Sequence, residues 1–73
     1  MPEQSEFDVR REIVTMLMEK VHNDPYPSGS MMDTIEQLLS PDEVPAYAGV
    51  LMDKIRADEF PSLDLINRVR GLS

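Results

Sequence analysis

The hydrophobic residues of the N-terminal third recur at helical spacing. From Phe7 to Val21 the apolar side chains fall within an arc of roughly 200° when residues are placed 100° apart, and acidic residues lie opposite. The pattern predicts a long, central first helix. We expect it to begin at Ser5, which with Asp8 nearly matches a capping box, and to end at Asn23 in a left-handed conformation before Asp24-Pro25.

Shorter apolar stripes follow, and serine and proline residues mark their ends. Ser30 and Asp33, three residues later, form a capping-box pattern that predicts a second helix over about 31 to 39. The segment Ser40-Pro41-Asp42-Glu43 combines a capping box with proline at the first helical position, and Pro45 then predicts a short opening turn before a regular third helix. This helix is expected to run to about Ala57.

A fourth helix is predicted at the C-terminal end of the chain. Phe60-Pro61-Ser62 ends the third helix and caps the fourth, and Gly71 offers its end. No segment alternates apolar and polar residues as a half-buried strand does. The patterns predict an all-α fold, a compact bundle of three to four short helices.

Domain organisation follows from the small size of the chain. Seventy-three residues supply one small core, so we expect a disordered tail over residues 1–4 and a single helical domain over 5–73. No internal repeat is apparent, and Gly49 inside the third helix is expected to mark the close approach of a neighbouring backbone. The predicted core contains Val9, Ile13, Leu17, Val21, Ile35, Leu38, Val44, Leu51, Ile55, Ile66 and Val69.

Composition limits the classes of function. The chain has no cysteine, one histidine and a net charge of −7, so a disulfide is excluded, zinc is disfavoured and long-range repulsion disfavours nucleic-acid binding. A core this small is marginally stable unless self-association or a partner adds to it. The acidic N-terminal segment has neither a basic region nor a long apolar run, so we expect no signal peptide or membrane span and a cytoplasmic location.

The residues that catalysis or cofactor binding requires do not occur at useful spacing. His22 has no second nitrogen or sulfur ligand to complete a metal site, and it is interpreted as a residue that suits the helix C-terminus. The acidic pairs Asp42-Glu43 and Asp58-Glu59 lack the glycine and distal glutamate of a calcium loop, and the isolated glycines form no phosphate-binding loop. We therefore expect no enzymatic activity, cofactor, metal or small-molecule substrate.

Several residues are candidates for binding a partner. Arg10 projects into the apolar arc of the first helix. Either its aliphatic stem packs along the rim of the core, or its guanidinium group anchors a carboxylate on a partner or on a second copy of the chain. Methionine side chains re-pack against varied surfaces, and those of the second helix follow an aromatic-proline pair, which suggests an exposed patch. The predicted partner-binding residues are Arg10, Tyr26, Pro27, Met31 and Met32.

Two functional hypotheses follow. The first is a protein-binding or regulatory module, whose partner is another protein or, in a homodimer, a second copy of the chain. The alternative is an acidic inhibitor that mimics nucleic acid and binds a basic partner protein. Mimicry needs one continuous acidic face, whereas this sequence scatters its carboxylates among caps and helix surfaces.

Three stretches of the chain consist mainly of caps and turns. They are Tyr26-Pro27-Ser28-Gly29, the run Leu39-Ser40-Pro41-Asp42-Glu43-Val44 continuing through Ala48 to Leu51-Met52, and Asp58-Glu59-Phe60-Pro61-Ser62 with Arg68-Val69-Arg70. Together they resemble a family of small actinobacterial all-helical proteins of unknown function. The resemblance implies a helical fold and supplies no catalytic residue.

Overall fold

The computed structural model describes residues 8–72, and these residues form helices and no strand. The predicted all-α fold is confirmed, with four α-helices in this range. A short 3-10 helix precedes the third of them. The elements are α1 (Val9–Asn23), α2 (Gly29–Leu38), the 3-10 helix (Pro41–Glu43), α3 (Val44–Ala57) and α4 (Leu63–Gly71).

The chain divides into two compact units, one ending at Leu39 and the other beginning at Ser40. In the first unit α1 packs against α2, and in the second α3 packs against the 3-10 helix and α4. The single domain predicted for residues 5–73 stays a prediction. The tail predicted for residues 1–4 lies outside the described residues.

The predicted start of α1 is wrong, and its end lies at Asn23 as predicted but without the left-handed conformation expected there. Asp8 was expected inside the helix, but its backbone is extended and its carboxylate is the N-cap, accepting from the Arg11 amide at 3.2 Å. Aspartate caps as well as serine does, and its charge also suits the positive end of the helix dipole; Ser5 lies outside the described residues. Asn23 stays helical, since no described non-glycine residue has a positive φ, and its side-chain amide donates to the Glu19 carbonyl at 2.9 Å.

The start of α2 lies two residues before its predicted position. Ser28, not Ser30, is the N-cap, and its hydroxyl accepts from the Met31 amide at 3.1 Å. The earlier start also provides a hydrogen bond from the Met32 amide to the Ser28 carbonyl at 3.2 Å. A helix capped by Ser30 lacks both of these bonds.

The predicted start of the third helix is confirmed. The capping box is present, with the Ser40 amide donating to Glu43 Oε1 at 3.0 Å, and the Ser40 hydroxyl meets the Asp42 carboxylate. The 3-10 helix is the short opening turn predicted before the regular helix. Pro45 lies in the first turn of α3, where its missing N–H costs least.

The end of α3 and both ends of α4 also agree with the sequence. α3 ends at Ala57, as predicted, and Ser62 caps α4 by accepting from the Asp64 amide at 3.1 Å. The last helical residue is Gly71.

The core is smaller than predicted. Val21, Ile35 and Leu51 are buried as expected, but Val9 is 57% exposed, so its assignment to the core is wrong. The other predicted core residues are half-buried. The buried hydrophobic residues of the described range are Val14, Val21, Met32, Ile35, Tyr47, Leu51 and Leu65.

Gly49 is not a close-approach position. It is exposed in the middle of α3, and a Cβ built on it would meet no atom within 4 Å. The expectation that a neighbouring backbone requires glycine there is wrong.

The two hairpins share a sequence pattern around their loops at an offset of 34 residues, so the expectation of no internal repeat needs correction. An offset of 34 residues takes Asp24 to Asp58 and aligns the end of α1 with that of α3 and the start of α2 with that of α4. Several of the differences near the loop are conservative, such as valine for isoleucine and tyrosine for phenylalanine. The identical pairs there are Leu17/Leu51, Met18/Met52, Lys20/Lys54, Asp24/Asp58, Pro27/Pro61 and Ser28/Ser62.

Candidate functional site

The loops that connect the helices of each hairpin have the same construction. In the first unit the Asp24 carboxylate accepts from the Tyr26 amide at 2.9 Å, and in the second the Asp58 carboxylate accepts from the Phe60 amide at 3.1 Å. A proline and the capping serine follow in both loops. This shared turn leaves each aromatic ring exposed, Tyr26 at 90% and Phe60 at 85%.

Equivalent residues of the two units differ in burial. In the first unit one face of the hairpin is buried at Val21, Met32 and Ile35. We call it face A. The equivalent residues of the second unit are only half-buried, although they are also aliphatic; they are Ile55, Ile66 and Val69.

Face A of the second unit is an open apolar groove between α3 and α4. Its volume is about 280 Å³. The apolar lining comes from Ile55, Ile66, Val69 and also Met52, which is 39% exposed. A groove of this composition leaves apolar surface in water that a partner could cover.

Two arginines border the groove, Arg56 from α3 and Arg70 from α4. Arg56 forms an exposed ion pair with Asp53 at 3.1 Å, and Arg70 donates to the Asn67 amide oxygen at 3.3 Å. Exposed ion pairs contribute about 0–1 kcal/mol. Exchanging Asp53 for another carboxylate as the partner of Arg56 therefore costs little.

The predicted partner-binding residues lie in different environments. Tyr26 is exposed, Pro27 and Met31 are half-buried, and Met32 is 3% exposed. The expectation of an exposed patch is therefore wrong for Met32, whose position on face A brings it into the core. Arg10 donates to the Leu38 carbonyl at 2.7 Å and lies 3.6 Å from the Asp8 carboxylate. A role for these residues in binding a partner stays a prediction.

A second cleft lies in the first unit. Its volume is about 410 Å³, and its lining residues carry both signs of charge. Within residues 8–72, no three histidine, cysteine, aspartate or glutamate side chains come together in a group that could hold a metal ion. The lining residues of the cleft are Glu19, Lys20, Asn23, Asp24 and Met31.

Comparisons with protein-family models, curated proteins and solved structures find no significant match to this chain. The resemblance to the actinobacterial helical family stays a prediction. Among the described helices, none has the length and apolar character needed to cross a membrane.

The sequence analysis did not predict a binding role for any of the residues that line the groove. Ile55, Ile66 and Val69 were expected in the core, and Arg56 and Arg70 were given no binding role. The available signal was the repeat, which pairs Arg56 with His22 and Arg70 with Glu36. Arginine therefore occupies these two positions in the second unit only.

Proposed function

We propose that the protein is a non-enzymatic protein-binding module and that the groove between α3 and α4 is its binding surface. One observation carries the proposal: aliphatic positions that are buried in the first unit are only half-buried in the second, at Ile55, Ile66 and Val69, where they line a groove. A surface that one copy of a hairpin buries and the other leaves open is suited to association with another chain.

The chemistry of the groove supports a protein as the ligand. Adaptable Met52 and the aliphatic side chains suit the apolar side chains of a peptide or helix. Arg56 and Arg70 add charge-assisted hydrogen bonds to carboxylates at the border.

The alternative, an acidic mimic of nucleic acid, has less support. The carboxylates of the described residues are distributed over all four helices, as Glu12, Asp33, Asp53 and Asp64 illustrate. Two of these, Asp53 and Asp64, pair with arginines of their own helices. Mimicry by a continuous acidic face stays a prediction.

Site-specific photo-crosslinking in cells tests the proposal. A photoreactive phenylalanine analogue at Met52 is expected to form adducts with protein, and Arg70→Glu in the same chain should reduce them. Ala46 is the matched control position, because it is exposed on another side of α3. Equal yields at the two positions, or no protein adduct at Met52, would contradict the proposed surface.

A further inference from the structure

The second unit shows the reverse pattern of burial on a second face of the hairpin. Tyr47, Leu51 and Leu65 are buried there. We call this face B. Its equivalents in the first unit are half-buried, namely Ile13, Leu17 and Met31. Each unit therefore buries one of the two faces and leaves the other partly open.

The open face B of the first unit continues into exposed apolar residues of α1. Val9, Ile13 and Met16 follow one another at helical spacing of four and three residues, which places them in one strip along the helix. Val9 is 57% and Met16 53% exposed. We call these three residues the α1 strip.

Two acidic residues beside the α1 strip are opposite in charge to the arginines beside the groove, and the basic Lys20 lies at the end of the strip, four residues after Met16. Glu12 and Glu19 are exposed along one side of the strip, whereas Arg56 and Arg70 border the groove. Opposite charges around two apolar surfaces favour their association and set its orientation. Although each copy carries a net charge of −7, the long-range repulsion between copies is screened beyond about 8 Å at physiological ionic strength.

We infer that the ligand of the groove is a second copy of this chain, an inference that rests on the proposed function of the groove. The α1 strip of one copy docks in the groove of the other, with Glu12 and Glu19 facing Arg56 and Arg70. The contact joins face B of one copy to face A of another. It is heterologous, so a pair of bound copies still offers one free groove, on one copy, and one free α1 strip, on the other. Assembly therefore continues beyond a dimer, into a ring or an open chain, as expected for a repeat whose unit cannot cover both of its faces.

Charge reversal tests this contact. The groove variant is Arg56→Glu with Arg70→Glu, and the strip variant is Glu12→Arg with Glu19→Arg. In each variant alone the two surfaces carry the same charge, so self-association should weaken about tenfold or more. Mixed in equal amounts, the variants offer opposite charges at both contacts, and association should recover.

Sedimentation velocity of the full chain over a range of concentrations measures the effect. The wild-type sedimentation coefficient should rise with concentration. A strip control, Asp33→Arg with Glu59→Arg, has the same net charge as the strip variant and changes exposed residues outside both surfaces; it should associate like the wild type. Unchanged helical circular dichroism in all variants shows that the fold is retained.

Three results would overturn the inference: a wild-type monomer at every concentration, either variant associating like the wild type, or a mixture that does not recover. An isologous dimer gives the second result, because strip-to-strip contact tolerates the groove variant and groove-to-groove contact tolerates the strip variant. Crosslinks from Met52 separate this inference from the proposed function. Adducts with a different protein, from a chain that is itself monomeric, reject the second copy and retain the groove as a protein-binding surface.

Discussion

The guanidinium of Arg10 donates a hydrogen bond to the carbonyl oxygen of Leu38 at 2.7 Å, and this bond joins the first turn of α1 to the last residue of α2. Carbonyl groups at the end of a helix lack intrahelical donors, and the negative end of the helix dipole favours a cation. Arg10 meets both requirements and so ties together the two helices of the first unit. The sequence predicted either a stem along the core rim or an anchor for a partner, and neither includes this bond.

Replacing Arg10 by methionine keeps an unbranched stem and removes the donor. Because hydrogen bonds with charged groups contribute about 1.5–3 kcal/mol and the side chain is partly exposed, Arg10→Met should lower the free energy of unfolding by about 1–2 kcal/mol. Arg11→Met, at the exposed neighbouring position, should change it by less than about 0.5 kcal/mol. Urea titration followed by circular dichroism measures both, and equal effects would contradict the role of Arg10.

The cap of α2 predicts different effects for two nearby serines. Ser28→Ala removes the acceptor of the Met31 amide and should cost about 1 kcal/mol. Ser30→Ala, inside the helix, should change stability by less than about 0.5 kcal/mol. The difference between the two urea midpoints is the measurement, and a larger loss for Ser30→Ala would restore the helix start predicted from the sequence.

The capping box before α3 predicts a graded series at Ser40. Ser40→Ala should cost about 1 kcal/mol and Ser40→Gly only a few tenths, because glycine lets water reach the donors that the serine satisfies. Protein binding through the groove should survive both changes, since Ser40 is not among the residues that line it. If Ser40→Ala left the denaturant midpoint unchanged and abolished the Met52 crosslinks, this segment would be a recognition loop.

The open surroundings of Gly49 predict a stabilising substitution. Glycine inside a helix costs about 1 kcal/mol relative to alanine, and the added methyl group meets no atom within 4 Å. Gly49→Ala should therefore raise the free energy of unfolding by about 1 kcal/mol. Thermal melts at a fixed protein concentration compare the two chains, and a lower melting temperature for the variant would show that the position needs glycine.

Local chemistry explains which helix boundaries the sequence predicts well. The Ser40–Glu43 box, Pro45 and Ser62 act on the backbone within one turn of their own positions, so the residues alone determine the result. Where two candidate N-cap residues lie close together, the residues alone do not determine where the helix begins. Ser28 and Ser30 are equally good N-caps, and choosing between them depends on the additional backbone bonds of the longer helix.

The core and the binding surface depend on what packs against each helix. The apolar arc predicted for α1 includes more side chains than its neighbours cover, which is why Val14 is buried and Val9 is exposed. The sequence by itself determined an all-α chain and contains the 34-residue repeat, which is obscured because most of the paired positions hold different residues. Only the tertiary structure decided that Val21 is buried and Ile55 borders an open groove, because burial depends on the neighbours of a side chain and these two residues have nearly the same chemistry.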